Sequence, residues 1–239
     1  MLRSNKYFIN DDQSESNIKW KLRRMIATLK AAHYKIKLIF SIPQILPKKY
    51  NVAVCAIFKN EAPYLREWIE FNHIVGVEHF YLYNNNSEDD YMNVLKPYID
   101  CGLVTLTQWP YNQKQMECYM ACIDEYASET KWLGFIDIDE FIVPKSTNSV
   151  YDFLQPFEKK AGSVNIYWKI FGTSGQLDRK LSGLVSEDFM VCWPKYMDLG
   201  KCFYNTAFGF DSNSKHAAQL HHKFWANYKG KDIPPVRPA

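Results

Sequence analysis

The sequence predicts an α/β protein: a mainly parallel sheet flanked by helices, with a basic amphipathic helix at its N-terminal end. Three observations predict it. Short β-rich runs alternate with helix-periodic segments from residue 51 onward, a compact polar stretch follows each run, and the first fifty residues carry a separate pattern of apolar residues at spacings of four and three. At 239 residues, 47% hydrophobic and 16% aromatic, the chain can bury a large core, which excludes a disordered protein.

Taken in order, the first element is helical. Apolar residues from Ile18 through Leu22, Met25 and Leu29 to Ile39 fall on one face, flanked by seven Lys or Arg between Lys19 and Lys37 and by no acid. Removing those seven charges from the net +3 leaves −4, so the basicity is local. Pro43 and Pro47 end the helix, and residues 1–50 read as a helical extension and linker ahead of a domain over 51–239. The runs Val52 to Phe58, His79 to Tyr83, Leu103 to Thr107 and Trp132 to Ile136 read as strands, with helices beginning near Ala62, Ser87 and Asn112. A strand followed by a helix and another strand implies parallel pairing, because the helix is the crossover that returns the chain. Farther on, Ser163 to Gly175 reads as a strand entering a glycine-containing loop, and "FMVCW" and "KCFYNTAF" as further short strands. The ending "DIPPVRPA" closes on no helix or strand and suits a C-terminally truncated domain.

Six cysteines without a CxxC pair read as reduced, mostly buried thiols, and hence as a cytoplasmic protein. No run reaches the length of a membrane span, no signal-peptide core is present, and no nucleic-acid motif or basic groove appears, so nucleic acid is not an expected partner.

In sheets of this kind ligands bind beyond the carboxyl ends of the strands. The polar stretches there are "KNEAP", "NNNSEDD", "QWPYNQKQ" and "DIDEF". The last places Asp137 and Asp139 two apart at the end of an apolar strand, where extended geometry would aim both carboxylates the same way. They could share one hard cation with a diphosphate. The alternative is a strand-end turn whose acids cap the next helix.

The ordered set "AIFKNEAPYLREWIEFNHIVGVEHFYLYNNNSEDD", "QMECYMACIDEY", "WLGFIDIDEFIVP", "WKIFGTSG" and "GLVSEDF" resembles glycosyltransferase family 92 and the related bacterial family 2 enzymes, over roughly Val52 to Phe189. The resemblance implies the GT-A (Rossmann-like) fold and a hexosyltransferase. It further implies that Asp137 and Asp139 bind Mn2+ or Mg2+, with Asp137 also on the donor, and that Asn60 and Glu61 line the nucleotide pocket. Asn84 stands where many relatives carry an aspartate that grips the base or ribose, and Gln115 matches a family glutamine, a solvated helix face being the other reading. An inverting transferase needs a base for the acceptor hydroxyl. Glu187 matches the family's acidic position, while Asp188 stands where relatives often carry arginine, so either acid could serve. Relatives add a downstream histidine to the cation; the candidates are His216, His221 and His222, with His222 favoured.

The expectation is therefore a metal-dependent, inverting transfer of a hexose, by family inference galactose, from a UDP-hexose donor to a growing surface glycan, free or lipid-linked. The basic helix would lie peripherally on the inner face of a membrane. A sugar nucleotidyltransferase is one alternative, although "CAIFKNEAP" lacks the Gly-rich basic loop it needs; a non-catalytic glycan-binding or assembly protein of the same fold is the other.

Overall fold

Alternating side chains let one long strand carry two cores. In the computed structural model, which describes residues 8–9, 22, 25, 26, 29, 43, 45–176, 183–197 and 199–208, that strand runs from Tyr50 to Phe58. Val52, Val54, Ala56 and Phe58 face one core, and Ala53 and Cys55 the other.

The described elements are, in chain order, β1 (Phe8–Ile9), β2 (Tyr50–Phe58), α1 (Ala62–Ile74), β3 (His79–Asn84), α2 (Tyr91–Asp100), β4 (Val104–Gln108), α3 (Gln115–Tyr126), β5 (Thr130–Phe135), α4 (Val150–Leu154), β6 (Ser163–Tyr167), α5 (Val185–Asp188), β7 (Tyr196–Met197) and β8 (Gly200–Asn205). The main sheet has the order β4-β3-β2-β5-β8-β6. Its first four strands are parallel, and β8 runs antiparallel to both β5 and β6. A two-residue parallel pairing joins β1 to β7. On one face Leu65, Trp68 and Ile69 of α1 and Leu95 of α2 pack against β2 and β3; on the other, Cys118, Tyr119, Cys122 and Ile123 of α3 do so. The mainly parallel α/β architecture expected from the alternation is the one found.

Two helices start later than expected, at Tyr91 rather than near Ser87 and at Gln115 rather than near Asn112. Side chains hold the intervening residues as loops: Ser87 N–H donates to Asn84 Oδ1 at 2.9 Å, and Asn85 Nδ2 donates to the carbonyls of Trp109 (2.6 Å) and Tyr111 (3.0 Å). "FMVCW" is not a strand: it contributes only an isolated antiparallel bridge, Phe171 to Cys192. Cys55, Cys118, Cys122 and Cys202 are buried free thiols, as expected, while Cys101 and Cys192 are exposed. Within the basic segment, Leu22, Met25, Ile26 and Leu29 are helical and exposed, and the remainder lies outside the described residues. No helix among the described residues is long and apolar enough to cross a membrane.

Gly200 opens β8 where it pairs with Tyr167 of β6, and a Cβ there would stand 1.9 Å from the Ile166 carbonyl oxygen. Backbone cannot swing aside as a flexible side chain can. Gly200→Ala should therefore destabilise the protein by about 2–4 kcal/mol, the scale of severe overpacking, seen as a lower urea midpoint with unchanged slope. An unchanged midpoint would contradict this close approach.

Candidate active site

The strand order places a crevice between β2 and β5. The chain moves outward from β2 to β3 and β4, then returns to pair β5 on the other side of β2, so the loops after β2 and β5 diverge there. An open cleft of about 430 Å3 occupies this edge, lined by Lys59 and Glu61 after β2, Tyr111 and Lys114 before α3, and Gln115, Asp137 and Asp139 among others. Asn60, Asn86 and Gln113, in the loops after β2, β3 and β4, all adopt positive φ near 55°. Asn tolerates that conformation and Gln does so at some cost, so strain collects where the cleft is built.

The acidic run is a turn rather than a strand end. β5 stops at Phe135; Glu140 N–H then donates to the Asp137 carbonyl at 3.1 Å, and Asp137 N–H to Glu140 Oε2 at 3.0 Å. The expected projection of Asp137 and Asp139 from an extended strand is thus corrected. The turn instead gathers three carboxylates, with oxygens of Asp137, Asp139 and Glu140 within 4.8 Å of one another. Helix α1 supports it: Trp68 Nε1 donates to the Asp137 carbonyl at 2.9 Å, and the buried Asn72 Oδ1 accepts from Ile142 N–H at 3.1 Å. Burial raises the Glu140 carboxyl to about 7, against the opposing pull of Lys201 and the Asp137 N–H. Glu61 is also raised, by burial first and then by the charges of Asp139 and Asp89.

Asp137 and Asp139 are not equivalent. Asp137 Oδ1 accepts from Gln115 Nε2 (3.2 Å) and Tyr119 Oη (3.3 Å), while Oδ2 takes the Lys201 ammonium at 2.5 Å. Asp139 is exposed, with a side chain that makes no hydrogen bond among the described residues. Gln115 is not on a solvated face; it also donates to Tyr119 Oη at 2.8 Å. As a donor set, three convergent carboxylates supply the hard oxygens that Mg2+ or Mn2+ prefers, and the ammonium already drawn against two of them acts as a stand-in cation. The residues present fit such an ion.

Other expected residues lie elsewhere. Asn84 is buried, donating from Nδ2 to Tyr91 Oη (3.0 Å) and Gln108 Oε1 (2.7 Å) while its oxygen accepts from Ser87. Its amide is fully engaged inside the fold. Asn60 accepts from Glu88 N–H at 2.8 Å and its own N–H donates to Ser87 Oγ, bracing the same loop. Neither lines the cleft. Helix α5 is anchored to α1 by Glu67, whose carboxylate accepts from Val185 N–H (2.7 Å) and Ser186 N–H (2.8 Å). That leaves Glu187 exposed, whereas the Asp188 carboxyl packs against Gly183; neither acid lines the cleft. His216, His221 and His222 lie outside the described residues. Sequence reasoning missed Lys201, Tyr119, Lys59 and Lys114, and gave no role to Glu140, the third carboxylate of the apolar run that holds Asp137 and Asp139. Lys59 and Lys114 had a usable signal, since both sit in polar stretches after strands, but Lys201 had none, being inside an apolar strand.

Residues 48–217 match the family model of glycosyltransferase family 92. Among relatives, a glycosyltransferase family 92 protein of Oryza sativa subsp. japonica is 32% identical over 133 residues, covering 54% of this chain and 23% of its own. The galactan beta-1,4-galactosyltransferase GALS3 of Arabidopsis thaliana is 30% identical over 128 residues, covering 47% and 25%. The chain spans about a quarter of the length of these relatives. The crystal structure of S. aureus TarS 1-349 superposes with a TM-score of 0.41 and 15% identity, covering 54% of this chain and 38% of that one.

Proposed function

The chain belongs to glycosyltransferase family 92, and from that premise we propose that it transfers a hexose, galactose, from a UDP-sugar to a glycan with inversion at the anomeric carbon. The observation that carries this reading is the acidic turn, Asp137 to Glu140, at the mouth of the β2/β5 cleft. Asp139 and Asp137 would hold a divalent cation, which when bound would offset the charge of the departing diphosphate. Lys59 and Lys114 would face the phosphates, and Glu61 would orient the donor beside Asp139. Tyr111, 56% exposed and braced edge-on by Trp109, offers a ring face to the base. Glu187, on a helix tied to α1 by Glu67 and outside the donor cleft itself, would take the acceptor hydroxyl's proton as the new bond forms.

The test is a panel of nucleotide sugars assayed for manganese-dependent thermal stabilisation. A ligand that binds the native state raises the unfolding midpoint with its concentration, so UDP-galactose with Mn2+ should do so more than either alone. No shift with any UDP-sugar would overturn the reading.

Membrane contact is part of the proposal. The exposed apolar positions Leu22, Met25, Ile26 and Leu29 lie within a segment of seven cationic residues, each worth on the order of 1 kcal/mol at an anionic surface. The full chain should co-sediment with anionic vesicles at low salt and release at high salt, while a chain starting at Lys48 should not bind. Equal sedimentation of the two would remove the membrane role and leave a soluble glycan as acceptor.

A further inference from the structure

Lys201 is a buried lysine, 7% exposed, on the strand that pairs with β5. Lysines are seldom buried unless paired, and this one is paired twice: its ammonium lies 2.5 Å from Asp137 Oδ2 and 3.6 Å from Glu140 Oε2. The Trp168 ring, with its centre 5.6 Å from the ammonium, lies over it. The opposite oxygen of Asp137 is held by Gln115 and Tyr119. Asp137 is therefore clamped from both sides, and one of the two clamps is a cation.

We propose that Lys201 is a positioning residue that fixes Asp137 and withholds its Oδ2 from a divalent cation, so that the acidic turn binds the cation weakly until a diphosphate arrives with it. The inference rests on the reading of that turn as a metal site given above. A positive charge in hydrogen-bond contact with a ligand carboxylate repels a second positive charge on the same group, and the repulsion exceeds that between two exposed charges because the lysine is buried. A diphosphate supplies fresh oxygens and negative charge, which restores affinity without moving the lysine. Cation and nucleotide then bind as a coupled pair.

The direction of the effect separates this from a purely structural role. Were Lys201 only a filler, replacing it would loosen Asp137 and weaken or leave unchanged the affinity for metal. Under the proposal, removing the competing charge strengthens it. The experiment titrates the full chain with Mn2+ alone, then with Mn2+ in the presence of UDP, by calorimetry. Wild type should bind Mn2+ at least tenfold tighter with UDP than without. Lys201→Met and Lys201→Gln should bind Mn2+ alone at least tenfold tighter than wild type, gain less from UDP, and show a larger rise of the unfolding midpoint with Mn2+. Lys201→Gln keeps an N–H donor toward Asp137 and carries the comparison if Lys201→Met does not fold. Asp139→Ala is the control that keeps the two claims apart. If it loses Mn2+ while both Lys201 variants bind the ion no tighter than wild type, the metal site stands and the role of Lys201 is overturned. If it binds Mn2+ as wild type does, the metal site falls and this inference with it.

Discussion

Asp139→Ala is expected to abolish manganese-dependent binding of the nucleotide sugar while leaving the urea midpoint unchanged or slightly raised. The carboxylate is exposed and makes no hydrogen bond among the described residues, so its removal costs no packing, and it relieves repulsion with Glu61 and Glu140. Asp137→Ala should also lose donor binding, but for a second reason. It strips the buried Lys201 of its nearest counter-charge, and breaking a buried pair by deleting one partner costs about 3–5 kcal/mol. Here about 2–3 kcal/mol is expected, because Glu140 remains 3.6 Å away and the Asp137 side chain is 38% exposed. Urea unfolding and the manganese-dependent midpoint shift, measured on both variants, check the pair. Full metal-dependent donor binding in Asp139→Ala would sink the metal assignment, and equal stability of the two variants would sink the Lys201–Asp137 pairing.

Glu187→Gln should keep donor and metal affinity yet slow transfer by roughly two to four orders of magnitude, the usual contribution of a positioned base. The amide keeps the shape and hydrogen-bonding reach of the acid but cannot accept the proton. Asp188→Asn should do less to the rate, because that carboxyl packs against Gly183 instead of standing free. Initial rates with a fixed donor, and donor affinity measured separately, distinguish the two acids. Normal transfer by Glu187→Gln together with slow transfer by Asp188→Asn would assign the base to Asp188.

The fold was largely legible because its signals are local. β2, β3, β4 and β5 are short apolar runs separated by helix-periodic segments, and in a sheet covered on both faces such runs need no alternation to be recognised. Helix starts were less legible. Asn84 and Asn85 tie their loops to residues about three and twenty-four positions away, and such bonds delay helices that periodicity alone would begin sooner. Gln115, ambiguous in the sequence, is resolved by contacts with Tyr119 on its own helix and with Asp137 beyond the next strand.

By itself the sequence determined the parallel sheet, the side of it on which polar loops converge and the acids that follow β5, since each is a pattern of period or composition within a short stretch; the resemblance to the family was carried by ordered motifs from Val52 to Phe189. Only the tertiary structure decided how those acids are arranged. It made the acidic run a turn held from α1 by Trp68 and Asn72, turned the Asn84 amide inward, left Asp139 exposed at the cleft, and set Lys201 against Asp137 from a strand 64 residues downstream. The physical reason is the same in each case. A buried polar group must find its partner wherever the fold brings one, and for these groups that partner lies far along the chain, where no local pattern announces it.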